Sequence, residues 1–170
     1  MTHTNAPTIH SERLTLRAVR EDDFDIFAEF MADDRSSFVG GPRDRFESWI
    51  LFIANPGHWA MRGYGYWMIE ETASGRLLGT CGIIKHDGWP APELGWQLFN
   101  GCEGHGYARE AAIAARDWAA AQGMDQLISF IAPDNTRSLA LAAKLDAMQM
   151  GEGDSPFGPM TVWLHPKGNA

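Results

Sequence analysis

Between Asn100 and Arg109 the chain reads Asn-Gly-Cys-Glu-Gly-His-Gly-Tyr-Ala-Arg, and this stretch limits the possible folds more than any other. An alternating segment, Glu93 to Leu98, leads into it, and an alanine-rich segment of helical character, Tyr107 to Ala121, leads out. A strand that passes through three close glycines into a helix lets main chain approach a ligand with no side chain between them. The first turn of the helix carries N–H groups without intrahelical partners, and its dipole favours an anion. The simplest function is a main-chain cradle for a diphosphate. The alternative is a glycine-rich turn that only starts a helix.

Two familiar phosphate motifs fit poorly. A P-loop places Lys and then Ser or Thr after its last glycine, where this chain has Tyr107 and Ala108. A dinucleotide fingerprint reads G-x-G-x-x-G or A. Gly104 and Gly106 satisfy its start, but Arg109 fills the third place and the stretch comes late in the chain.

The 170 residues, 45% of them apolar, are enough for one globular domain, which we place at 9–166 between a flexible tail, 1–8, and a short tail, 167–170. No apolar run has the length of a bilayer span, and the first seven residues lack a signal-peptide core, so a cytoplasmic protein without a membrane partner is expected. A net charge of −8 argues against nucleic acid and suits an amine-bearing substrate. Cys81 and Cys102 form no metal spacing or disulfide framework, and no two histidines stand at i, i+4 on a helix; no metal is expected. A monomer and a homodimer are both compatible with the sequence.

Residues 13–18 alternate as a strand, and Asp22 or Asp23 is placed to cap the helix that follows. Phe24, Phe27, Ala28 and Met31 form its buried stripe. Residues 36–42 break the pattern. A second helix is expected to bury Phe46, Trp49, Ile50 and Ile53 and to stop at Asn55-Pro56-Gly57, with a loop over 55–65. Tyr66 to Glu71 and Leu77 to Ile84 make a hairpin. After the glycine stretch and its helix come a strand over 127–132, a turn at Pro133-Asp134-Asn135, a helix with Ser138, Leu141, Ala142 and Leu145 on one stripe, and strands over 148–151 and 160–165.

Glu103-Gly104-His105-Gly106-Tyr107-Ala108 resembles the acetyl-coenzyme A loop of the GNAT N-acetyltransferases: Gln or Arg, two residues, Gly, one residue, Gly or Ala. Glu103 departs at the first position. Ser11-Glu12-Arg13-Leu14-Thr15-Leu16-Arg17, Glu93-Leu94-Gly95-Trp96 and Asn135-Thr136-Arg137-Ser138 with Lys144-Leu145 resemble, in order, pieces of the RimJ/RimL branch of that family. The resemblance implies an α/β (mixed α+β) GNAT fold: a mostly antiparallel sheet with one splayed parallel strand pair and helices on both faces.

It also implies an acetyl-coenzyme A-dependent N-acetyltransferase. The pyrophosphate would lie on the amides of Glu103, Gly104, His105, Gly106, Tyr107 and Ala108. An amide near Leu98 or Phe99 would polarise the thioester carbonyl, and Asn135 would hold the pantetheine. The tyrosine that many members use as proton donor is replaced by Ala142, so Ser138 is the candidate acid; Asp146 stands at the usual helix-ending glycine. Glu93 is the candidate base, with Glu70 and Glu71 in reserve. Each keeps a plainer reading: Glu93 as a solvated strand end, Ser138 as a neutral helix residue, Asn135 as an N-cap. Trp59, Tyr64, Trp67 and Trp89 either line an acceptor pocket or pack the interior. The acceptor would be a protein N-terminus, an aminoglycoside or a polyamine, and a non-catalytic acyl-coenzyme A-binding module is the rival reading. Acetyl-coenzyme A is expected to raise the melting temperature, because it binds only the folded state, and NADH is not. Calorimetry showing no coenzyme A binding would refute the cradle.

Overall fold

The computed structural model describes residues 6–155 and 158–169. Strands β1 (Ile9–His10) and β2 (Leu14–Arg17) precede helices α1 (Phe24–Ala32) and α2 (Arg45–Arg62). Then come β3 (Tyr66–Glu71), β4 (Leu77–Ile84), β5 (Glu93–Leu98), α3 (Tyr107–Ala121), β6 (Ile128–Ile131), α4 (Thr136–Lys144), β7 (Met148–Ser155) and β8 (Gly158–Leu164). The strands form one sheet in the order β1-β2-β3-β4-β5-β6-β8-β7. Every described pairing is antiparallel except β5–β6, which α3 connects by a crossover.

The two sheet faces can be followed across the rows. Trp67, Cys81 and Trp96 lie opposite one another on β3, β4 and β5, and Trp67 meets Trp118 of α3 edge-on at 5.1 Å. That face belongs to α3 and α4. The alanines of α3, among them Ala111, Ala112, Ala115 and Ala119, are fully buried there and let the helix lie close to the strands. Arg109 and Arg116 of α3 donate to the carbonyls of Lys144 and Leu145, satisfying the end of α4. Asp146 takes the left-handed conformation (φ 58°) that a glycine usually fills at a helix end. The opposite face carries Tyr66, Gly82 and Gly95 in one row and is covered from the side of α1 and α2, where Phe30 meets Phe99 at 5.7 Å.

Helix α2 departs from the expectation. It runs through Asn55-Pro56-Gly57 to Arg62 and stops at Gly63, so 55–62 is helix and not loop. Its buried face is Ser48, Phe52 and Trp59, with Asn55 half-buried at the same spacing, whereas Phe46, Ile50 and Ile53 are exposed. Tertiary bonds hold the helix past the proline. The Asn55 amide pairs with both main-chain groups of Tyr66 (2.9 Å each), and the Trp59 indole donates to the Tyr66 carbonyl (2.9 Å). Trp59 and Trp67, at most 1% exposed, join Trp118 in the core and do not line a pocket. A short 3-10 segment, Asp34–Val39, occupies part of the expected break. Near the two ends, Pro7 accepts from Trp67 and Asn169 donates to Asp117.

Asp23 stands at the N-cap position of α1 but makes no side-chain cap bond to it; its carboxylate accepts from the Arg20 N–H at 2.7 Å. Its carboxylate takes both Nη groups of buried Arg17 at 2.8 Å, and Arg17 Nε donates to Glu70 at 2.7 Å. One guanidinium thus satisfies two carboxylates between β2, β3 and the start of α1. Asp23 and Glu70 together hold the guanidinium well above its ordinary pKa against the cost of burial. Arg17→Ala leaves Asp23 buried without its counter-charge, and denaturant unfolding is expected to show a loss of about 3–5 kcal/mol.

Candidate active site

The site begins where β5 and β6 part. Among the described residues, Glu93 and Ile128 alone stand in parallel register, and the Ile128 N–H donates to the Pro92 carbonyl at 3.0 Å. One step further the ladder is replaced by side chains. The Phe130 N–H donates to Glu93 Oε1 at 3.1 Å, and Ser129 Oγ donates to the Leu94 carbonyl at 2.5 Å. Ser129 also stands 2.8 Å from Nε2 of buried His165. Main-chain groups that another strand would have taken are closed off in this way, and the strands separate. Neither Ser129 nor His165 is signalled by any motif; only the need to satisfy a buried, unpaired carbonyl points to such a group.

Beyond this point the edge of β5 faces a gap. The Phe99 N–H is spent on the Leu78 carbonyl at 2.8 Å, so Phe99 is not the free oxyanion donor that the resemblance offered. Successive amides in a strand point to opposite neighbours, so those of Trp96 and Leu98 face the gap. Leu98 keeps the proposed place. The Trp96 indole donates to Ser138 Oγ at 3.3 Å, which brings the first turn of α4 to the same gap. Asn135 Oδ1 caps that turn by accepting from the Ser138 N–H at 3.2 Å, leaving its amide N–H groups for another partner. Ala142 is fully buried and offers no room for a tyrosine.

Glu93 is half-buried, and Ser138 and Glu93 reach the gap from opposite faces of β5, because Trp96 and Glu93 alternate. Burial pushes the Glu93 carboxyl from 4.5 up to about 8, and the Phe130 N–H only partly offsets this. The reserve bases are committed elsewhere. Glu70 is bound to Arg17, and Glu71 accepts from Ser74 and Tyr107, which hold it below the usual carboxylate range.

At the mouth of the gap, Gly101, Gly104 and Gly106 have φ of 76°, 83° and 80°, a conformation that side chains resist. Among the described residues no acceptor meets the main-chain N–H groups of Glu103 to Ala108. The cradle is fixed from outside. Tyr107 Oη donates to Glu71 (2.7 Å), Arg13 pairs with Glu110 (2.8 Å) and donates to the His105 carbonyl (3.0 Å), and Ser11 donates to Glu110 (2.7 Å). These bonds explain the Ser11-Glu12-Arg13 opening. The His105 side chain is exposed beside the Tyr107 ring. Glu103 does not project into solvent: it is bound by Arg35 of the 3-10 segment and lies 3.7 Å from Arg137 of α4. Two guanidiniums therefore stand beside the cradle and offset the carboxylate found there. Among the described residues no group of His, Cys, Asp or Glu side chains is arranged to hold a metal ion.

A sheet opened at its one parallel pair, with an amide cradle at the mouth, is the architecture of an acyltransferase. The chain belongs to the GNAT acetyltransferases: residues 13–148 match the acetyltransferase (GNAT) domain. A solved acetyltransferase from Agrobacterium tumefaciens str. C58 is 36% identical, with 95% of each chain covered and a TM-score of 0.88. The ribosomal L7/L12 α-N-protein acetyltransferase RimL, solved with coenzyme A, is 17% identical with 95% of this chain and 98% of that chain covered and a TM-score of 0.78. Spermidine N-acetyltransferase from Vibrio cholerae, solved with coenzyme A and spermine, is 16% identical with 92% and 97% covered and a TM-score of 0.74.

The raised carboxyl has a consequence for stability that needs no substrate. Folded Glu93 holds its proton between about pH 4.5 and 8 while the unfolded chain has released it. Stability from this group is therefore complete below pH 4.5 and declines as pH rises through that window. Urea unfolding is expected to show that decline in the wild type and a flatter profile in Glu93→Gln; equal slopes would place the carboxylate in water.

Proposed function

We propose that the protein moves the acetyl group of acetyl-coenzyme A to a primary amine by direct attack in a ternary complex, with a protein N-terminus as acceptor. The observation that carries this reading is the opened β5–β6 pair leading into unsatisfied cradle amides. The amides of Glu103, Gly104, His105, Gly106, Tyr107 and Ala108 suit a pyrophosphate, and Arg35 and Arg137 add positive charge beside it. The free amide N–H groups of Asn135 suit a pantetheine carbonyl.

The residues then divide the work. The amine nitrogen attacks the thioester carbon, and the Leu98 N–H stabilises charge on the carbonyl oxygen. Glu93, once ionised, takes the amine proton. The C–S bond breaks, and Ser138 hydrogen-bonds the departing thiolate. The Trp96 indole already fills one lone pair of the Ser138 hydroxyl, which leaves its proton free to point at sulfur. Base and thiolate donor act from opposite faces of β5, so the acceptor enters from the side of Glu93.

Two features favour a polyamine as the second reading: the net charge of −8 and the likeness to a spermidine N-acetyltransferase. The RimL likeness and the Ser11 to Arg17 opening favour the N-terminal amine. Thiol release from acetyl-coenzyme A, measured against N-terminal peptides, polyamines and aminoglycosides, separates them. Absence of release with every amine, with coenzyme A still bound, would leave a binding module. With the preferred amine, and with chemistry shown to be rate-limiting, Ser138→Ala is expected to lower kcat roughly 10–100-fold, around the bottom of the range for general acids, with little change in coenzyme A affinity. An unchanged kcat would leave water as the acid.

A further inference from the structure

Tyr66 is held more completely than packing alone requires. Its main chain is fixed by three bonds from α2: two from the Asn55 amide and one from the Trp59 indole. Its neighbours are shaped around it. A Cβ on Gly65 would come within 2.6 Å of the Trp59 ring, and a Cβ on Gly82 within 2.4 Å of the Tyr66 Cα. A Cβ on Gly95 would stand 2.0 Å from the Tyr66 hydroxyl and 3.0 Å from the ring carbon that bears it.

Tyr66, Gly82 and Gly95 occupy one row across β3, β4 and β5. The two glycines leave a trough in the sheet face, and the tyrosine ring lies along it. The hydroxyl ends over β5, on the face that carries Glu93, at the strand whose far edge borders the gap. Among the described residues no group hydrogen-bonds that hydroxyl, although the ring is half-buried. The hydroxyl oxygen keeps some exposure to solvent, so water satisfies it until a ligand takes that water's place. Burial and the Glu93 carboxyl both push its ionisation up, so it stays a neutral O–H that can accept and donate.

We propose that Tyr66 is the acceptor-binding residue of the site: its hydroxyl accepts an N–H of the incoming primary amine and turns the nitrogen lone pair towards the thioester, with Glu93 beside it to take the proton. This rests on the transferase reading and adds the acceptor half of the site. It gives the C-terminal half of α2 a task, because Asn55 and Trp59 lock the strand end that presents the ring. It also explains why the Glu-Leu-Gly-Trp segment needs glycine at position 95, where any side chain would displace the hydroxyl.

Tyr66→Phe removes the hydroxyl and keeps the ring in the trough. With the amine that performs best in the thiol-release panel, Tyr66→Phe is expected to raise the acceptor KM roughly 5–10-fold, the size of one hydrogen bond, with the acetyl-coenzyme A KM and the melting temperature unchanged. Gly95→Ala, which displaces the hydroxyl instead of deleting it, is expected to move the same parameter in the same direction. A packing role would give the opposite pattern: a lower melting temperature or a shift in both KM values together. Either that pattern or an unchanged acceptor KM in Tyr66→Phe overturns the assignment. A wild type that binds acetyl-coenzyme A yet releases no thiol with any amine also overturns it, while leaving the cradle standing. A wild type that does not bind coenzyme A by calorimetry fails earlier, at the transferase reading, and takes the acceptor site with it.

Discussion

The architecture depends on one local act of hydrogen-bond satisfaction. A parallel strand pair that opens partway leaves N–H and C=O groups facing a gap, and buried main-chain groups do not stay unpaired. Here the first groups past the opening are taken by side chains, the Phe130 N–H by Glu93 and the Leu94 carbonyl by Ser129. Those two bonds let the strands diverge at a defined residue. Everything downstream inherits that position: the free edge of β5, the approach of Ser138 from α4, and the mouth at the glycine loop. Burial at the same place raises the Glu93 carboxyl, and the bond from Phe130 only partly offsets that rise. One residue thus both marks the opening of the cleft and is the base we propose.

A cradle of main-chain amides works only if its backbone is held still, and the loop has little internal means of doing so. Support comes from sequence-distant strands. Glu71 at the end of β3 holds Tyr107, and Arg13 ahead of β2 holds Glu110 and the His105 carbonyl. Arg35, bound to both Asn100 and Glu103, reaches the loop from the other side. The loop is therefore anchored on both flanks while its N–H groups remain unspent.

Much of this could be read from the chain because local and global preferences agree there. The alternation of Glu93 to Leu98, the glycines at 101, 104 and 106 and the alanine face of α3 each point to the observed element, and β3, β4, β5 and α3 have the expected ends. Helix α2 defeated the same reasoning. Its buried stripe contains Ser48 and Asn55, so apolar periodicity selects the wrong face, and Pro56 reads as a stop although Asn55 and Trp59 bind Tyr66 across it. Asp23 takes the expected N-cap position, but its carboxylate is spent on Arg17, a strand residue that spacing does not reveal as a partner. The glycine loop between β5 and α3 was legible as a local motif. Ser129 and His165 were not, since their bonds arise from register between strands that sequence spacing does not encode.

The pairing of Ser129 with His165 fixes a direction of polarity at the root of the cleft. A serine hydroxyl has one proton, and Ser129 gives it to the Leu94 carbonyl, so the contact with His165 requires that Nε2 carry the hydrogen. The imidazole is then held in a single tautomer, with Nδ1 bare and, among the described residues, unpartnered in the interior. Hydrogen bonds run one way, from imidazole to hydroxyl to carbonyl, and each polarises the next. A second proton on the ring would have nowhere to donate, which is why burial holds His165 down at about 4. The wedge between the strands consequently keeps one electrostatic state throughout the neutral range, while the carboxyl on the opposite face of β5 changes its own.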